Sequence, residues 1–348
     1  MNTKPFSAHR AGICALIVSI YGGAMSAAHA RVLTTDQTVQ AAAPSLVRSS
    51  DSDAEIEPPF LLRPTNSSWD YEIRVALPPS YATSKKSYPV LWVTDGSVQF
   101  DEAVQTLNSA SGQIPEFIIV GVGVPRTYQA QFLSRRSYDF TDSGPSAYRY
   151  TGPGGALYTT TSGAKFTQQF SQIKNPGLGG AWNADRFLEF LSGNIRSVIA
   201  ARYRVGDTNV LFGFSLGGTF CLHALFATPS AFSHYICASP GVNADDGALF
   251  ISEDRYATSH KDLVAGLFLS AGEGEITQGG SISGLGAASS MARMAEILTL
   301  RRYPSLDLHA RILPERIHNG PGRAAALYTA MLTFFGPESI ARRQGKLK

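Results

Sequence analysis

The stretch Asn209–Phe226, NVLFGFSLGGTFCLHALF, sets one serine among three glycines between two apolar runs. NVLFGF has the short, nearly continuous hydrophobicity of a buried strand, and LGGTFCLHALFATP reads as a buried helix stopped by Pro229. Gly213-Phe214-Ser215-Leu216-Gly217 is therefore a G-x-S-x-G pattern at a strand-to-helix junction. A turn too tight for flanking side chains would lift the serine hydroxyl above the carboxyl end of a sheet, as a nucleophile requires. A serine that merely caps a helix would not need those glycines.

Working outward, the same logic predicts the rest of the sheet. In WDYEIRVALPPSY, Tyr71, Ile73, Val75 and Leu77 alternate along one face, as in a half-buried strand. PVLWVTDG, EFIIVGVG, HYICASP and LVAGLFLSAG are continuous runs suited to strands covered on both faces, and LDLHARIL is a last alternating strand. DRFLEFLSGNIRSVIAARY and MARMAEILTLRRY carry helical spacing between them. Strands separated by helices imply an α/β domain with a mostly parallel sheet, placed at residues 59–338. One segment breaks the rhythm. Residues 126–181 are crowded with Gly, Ser, Thr, Tyr and Gln, and read as an irregular insertion suited to a lid or substrate wall.

The first thirty residues read as an export signal. Lys4 and Arg10 precede the apolar AGICALIVSI, and SAAHA ends in small residues, so cleavage after Ala30 is expected. The mature chain would be periplasmic or secreted, with no segment long enough to span a membrane. It would carry 28 basic against 27 acidic residues, a balance that argues against nucleic acid as a partner. Residues 31–58 read as a flexible lead-in and 339–348 as a basic tail. Cys221 and Cys237 fall in apolar runs and read as two buried thiols, a poor basis for a metal site.

A serine hydroxyl needs a base. His9 and His29 lie in the leader, His223 falls on the helix after Ser215, His234 before a strand, His260 in a polar stretch, and His309 within the last strand. His318 alone follows that strand in a glycine- and proline-held loop, ERIHNGPG, at the edge where Ser215 should emerge. A carboxylate must orient it, and LVAGLFLSAGEGE offers Glu275, preferred because it can turn toward histidine, and Glu273. Asp245, Asp246 and Asp254 are outside candidates. The oxyanion donors expected are the N–H of Leu216 and, after Asp95-Gly96, the N–H of Ser97.

In order along the chain, PVLWVTDGSVQF, SYDFTDS, GGAWNADRFLEFL, VLFGFSLGG, FSHYICASP, LFLSAGEGE and IHNG resemble the putative-esterase branch of the α/β-hydrolases, over roughly residues 60–335. That branch includes esterase D-like proteins and enterobactin-type siderophore esterases. The resemblance implies an α/β-hydrolase fold, no cofactor and no metal. It implies Ser215 as nucleophile, His318 as base and the amides of Ser97 and Leu216 as oxyanion donors. Some of these siderophore esterases work with a serine–histidine pair alone, which weakens the case for Glu275. The expected partner is a small-molecule ester, sharpest as a siderophore trilactone. Arg135, Arg136, Tyr148 and Tyr150 could meet its anionic catecholates, or the arginines could pair with Asp139 or Asp142. An acyltransferase and a binding module of the same fold are the competing readings.

Overall fold

In this computed structural model the described residues are 54–65, 67, 69–144, 149–150, 182–278 and 280–343. The expected signal at 1–30, the lead-in up to residue 53, residues 151–181 of the insertion and the last five residues lie outside them.

The chain begins with strands β1 (Glu55–Ile56), β2 (Phe60–Leu62), β3 (Tyr71–Leu77) and β4 (Tyr88–Val93), followed by helix α1 (Gly96–Ser109) and β5 (Ile118–Gly123). A 3-10 turn, Arg126–Gln131, leads into α2 (Phe132–Phe140). Next, α3 (Ala184–Glu189) continues through a π-helical turn, Phe190–Ile195, into α4 (Arg196–Arg202). The elements β6 (Val205–Phe214), α5 (Leu216–Ala227), β7 (His234–Ala238), α6 (Ala244–Ser259) and β8 (Ala265–Gly272) follow. After the helical turn Gly274–Thr277 come α7 (Ala287–Arg301), β9 (Leu306–Leu313) and α8 (Gly320–Phe335).

The sheet runs β1-β3-β5-β4-β6-β7-β8-β9, with β2 also paired to β3. β3 is antiparallel to β5, and every pairing from β5 onward is parallel. The continuous apolar runs are explained by two cores. Val90, Trp92, Leu211, Tyr235 and Leu267 face one side, where α3, α5, α6 and α7 contribute Phe187, Phe220, Leu249 and Met291. Leu91, Val93, Phe212, Ile236 and Phe268 face the other, under Phe100 of α1 and Phe334 of α8. Each such side chain contributes about 1.5–3 kcal/mol when removed from water.

Three expectations change. The front of the 126–181 segment is helical: α2 buries Arg135, Arg136, Ser137 and Asp139 along with Phe132 and Phe140, an inward face too polar to betray a helix in sequence. Cys221 and Cys237 are a disulfide rather than two thiols. Both face the same core, where α5 crosses β7 and brings their Cα atoms to 5.3 Å. Apolar surroundings look the same for a buried thiol and a buried bridge. Ordered pairing starts at Glu55, inside the stretch read as lead-in, and a helix over Pro337–Arg343 runs into the stretch read as tail. Among the described residues no helix is long and apolar enough to cross a membrane.

Candidate active site

Parallel strands β4, β6, β8 and β9 deliver their carboxyl ends to one edge, with Val93 opposite Phe212 and Gly272 opposite Leu313. Ser215 stands there between β6 and α5 with φ 61° and ψ −124°, a conformation that costs a non-glycine residue about 1–3 kcal/mol. Its neighbours show how the strain is held. A Cβ on Gly213 would overlap the Gly217 carbonyl, and one on Gly218 would come within 2.5 Å of the Ala238 carbonyl oxygen. Ser215 donates its own N–H to that Ala238 carbonyl at 2.9 Å, tying the elbow to β7.

His318 Nε2 lies 2.9 Å from Ser215 Oγ, across 103 residues of sequence. The imidazole packs on the Phe214 ring at a centroid distance of 4.7 Å. Its loop is tied down where it enters α8. Asn319 caps α8 by accepting the Gly322 N–H at 2.9 Å, and Arg323 pairs bidentately with Glu102 of α1 at 2.8 and 2.9 Å.

Glu275, 3% exposed, faces the other ring nitrogen, with Oε2 3.4 Å from His318 Nδ1. That is longer than a charge-assisted hydrogen bond, as is common for catalytic pairs without substrate. Its second oxygen is anchored, accepting from Ser239 Oγ at 2.6 Å and from the Gly272 N–H at 2.9 Å. Burial pushes the Glu275 carboxyl up, but His318, Ser239 and Gly272 together hold it below the ordinary glutamate value. Glu273 does something else: it accepts the N–H of Glu315 at 2.9 Å, steadying a residue at φ 57°. Of the two glutamates, only Glu275 is brought to His318. Asp245 and Asp246 pair with Arg149, and Asp254 with Arg301.

The Ser97 and Leu216 amides both lie in the first turn of a helix, where backbone N–H groups have no acceptor within the helix and the dipole favours an anion. The two turns are bound together. Thr94 donates its N–H to Phe212 at 3.1 Å. Asp95, in the left-handed region at φ 52°, accepts Arg136 Nε on both oxygens at 3.0 and 2.9 Å. Arg136 also donates to the Phe214 carbonyl at 3.3 Å, and Gln99 donates to Asp95 at 3.0 Å. Burial pushes the Asp95 carboxyl up, against the pull of the Arg136 guanidinium beside it. One buried arginine thus braces the turn at Asp95 against Phe214, the residue before Ser215.

This corrects the reading of Arg135 and Arg136 as substrate contacts. Both are buried, Arg136 pairs with Asp95 rather than Asp139 or Asp142, and Arg135 stacks its guanidinium on Trp69 and Tyr71 at 4.6 and 4.4 Å. Asp139 instead accepts from Tyr71 and Trp182 at 2.5 and 2.8 Å. Tyr148 lies outside the described residues, and Tyr150 forms a bridge with Ala244 and packs against the core. His234 packs on Phe334, His260 stacks on Tyr256, and His309 pairs with Asp307, all away from Ser215. Sequence reasoning missed Ser239 and the bracing role of Arg136. Neither carries a local signal, since each acts across strands.

The family model described as "Putative esterase" matches residues 65–161 and 162–265. The siderophore enterobactin esterase of Emericella nidulans is 31% identical over 212 residues, 58% of this chain and 61% of that protein. The chain therefore spans about three fifths of that relative's length. The siderophore hydrolase EstA from Aspergillus nidulans superposes with a TM-score of 0.63 at 23% identity, over 83% of this chain and 98% of that one. An IroE-like serine hydrolase from Shewanella oneidensis gives 0.62 at 24%, over 81% and 80%. At such identities these structures speak to the α/β-hydrolase fold alone.

Proposed function

Because the chain belongs to the Putative esterase family, we propose that it is an exported serine hydrolase that cleaves a siderophore ester. The observation that carries the reading is the 2.9 Å contact between Ser215 Oγ, on a strained elbow, and His318 Nε2. Ser215 Oγ attacks the ester carbonyl while His318 Nε2 takes its proton. The oxyanion receives the N–H groups of Leu216 and Ser97, each such donor being worth about 10²–10³ in rate. Glu275 stabilises the imidazolium and keeps its Nδ1 proton turned inward. His318 then passes the proton to the leaving alkoxide, and water, activated by the same histidine, releases the acyl group.

Labelling with a fluorophosphonate tests the chemistry. Wild type should label, and Ser215→Ala and His318→Ala should not. An unlabelled wild type, or equal labelling of Ser215→Ala, overturns the reading. The substrate class is tested by turnover of a catecholate trilactone beside short p-nitrophenyl esters. A preference of less than tenfold in kcat/KM for the trilactone removes the siderophore assignment and leaves a general esterase. Export is tested by sequencing the mature N-terminus, expected at Arg31.

A further inference from the structure

Away from Ser215, α5 carries a second imidazole set among carboxylates. His223 stands eight residues after Ser215 on this helix, about 12 Å along its axis. Its ring is nine-tenths buried and lies over Phe220, so its orientation is fixed. Nε2 is 2.9 Å from Asp185 Oδ1, a hydrogen bond. Nδ1 faces Asp142 Oδ2 at 3.7 Å, too far for one. One ligand atom from each of Asp142, Asp185 and His223 can be chosen so that all lie within 4.8 Å of one another.

We propose that His223 and Asp142 bind a divalent transition-metal ion of the zinc class, with Asp185 orienting the imidazole. The arrangement has the parts such a site needs. A metal-ligating histidine commonly donates its other ring N–H to a carboxylate, which leaves the ligating nitrogen as a lone pair. Nε2–H donated to Asp185 does this and leaves Nδ1 open toward Asp142. Two ligands on a tetrahedral zinc stand about 3.4 Å apart, so the 3.7 Å gap closes with a small rotation of half-exposed Asp142. The charges agree as well. Around the Asp142 carboxylate the like charges of Asp185 and Asp245 stand against the His223 ring and the Arg255 guanidinium, and a dication would add to the favourable side. Imidazole with carboxylate selects zinc-class ions over magnesium, which prefers oxygen ligands alone.

With two protein ligands, one of them half-exposed, the remaining coordination positions would be open to water. Asp142 lies just beyond α2 and Asp185 in the first turn of α3, so the ion would tie the segments flanking residues 145–181 to the elbow helix.

Equilibrium dialysis and titration calorimetry of the full chain with Zn²⁺, and with Mg²⁺ as the control, test this. One zinc per chain is expected, with no comparable magnesium binding. Asp185→Asn should weaken zinc about 10–100-fold, the range for losing such an orienting partner. His223→Ala and Asp142→Asn should abolish it, and His318→Ala should retain it. Absence of binding to wild type, unchanged affinity in both aspartate variants, or loss only in His318→Ala overturns the proposal. If His223→Ala does not fold, the two exposed aspartate variants carry the test.

Discussion

Two histidines in this molecule have similar surroundings and different chemistry. His318 lies between a hydroxyl and a carboxylate, Ser215 on one nitrogen and Glu275 on the other. His223 lies between two carboxylates, Asp185 and Asp142. The first arrangement suits the proposed proton transfer, because one neighbour can give a proton and the other can stabilise the charge that results. The second sets a ring nitrogen and a carboxylate oxygen 3.7 Å apart, the pair of ligand atoms on which the proposed metal site rests. The frames differ too. The Asp95–Arg136 pair behind the first site is 4% exposed on both sides, whereas the Asp142 and Asp185 side chains are 46% and 65% exposed.

The sharpest way to break the comparison is at Ser215 and His318. Alanine at either should lower kcat by about 10⁶-fold, since members of such a unit act together. A loss below a hundredfold would mean that His318 is not the base. Next in size is the frame. Arg136→Met leaves the Asp95 carboxyl buried without its partner and should cost about 3–5 kcal/mol in urea unfolding. A cost under 1 kcal/mol would show that the brace is dispensable.

Glu275→Gln should lower kcat about 10²-fold, less than in a triad with a short acid–histidine bond. Its pH dependence has a definite sign. The folded-state value lies below the ordinary 4.5, so the ionised carboxylate stabilises the fold above that pH. This contribution disappears as pH falls through the folded value. The stability gap between wild type and Glu275→Gln, measured by thermal unfolding, should therefore shrink below pH 4.5. A gap that widens on acidification contradicts the assignment.

At the small end, Asp185→Asn should change metal-free stability by less than about 1 kcal/mol, as exposed pairs do. Glu273→Gln, which disturbs only the Glu315 turn, should keep kcat within about twofold of wild type. A large loss there would return Glu273 to the site.

Much of the fold was legible because strand burial and helix spacing are local patterns. LDLHARIL matches β9 residue for residue, and HYICASP covers β7, which ends two residues sooner at Ala238. Helix α2 was not legible, since it buries two arginines and an aspartate between Phe132 and Phe140. Arg135 and Arg136 illustrate the same limit within the site. Adjacent in sequence and alike in chemistry, they are buried on different partners, one on aromatic rings and one on Asp95.

By itself, then, the sequence determined the elbow, the parallel sheet and the loop that carries His318, because glycine spacing and hydrophobic period act within a few residues. Only the tertiary structure decided the rest. It chose Glu275 over Glu273, joined Cys221 to Cys237, turned Arg136 into a brace and set His223 between two aspartates. Each of these depends on which side chains distant strands and helices bring within 3 or 4 Å, and no local pattern encodes that distance.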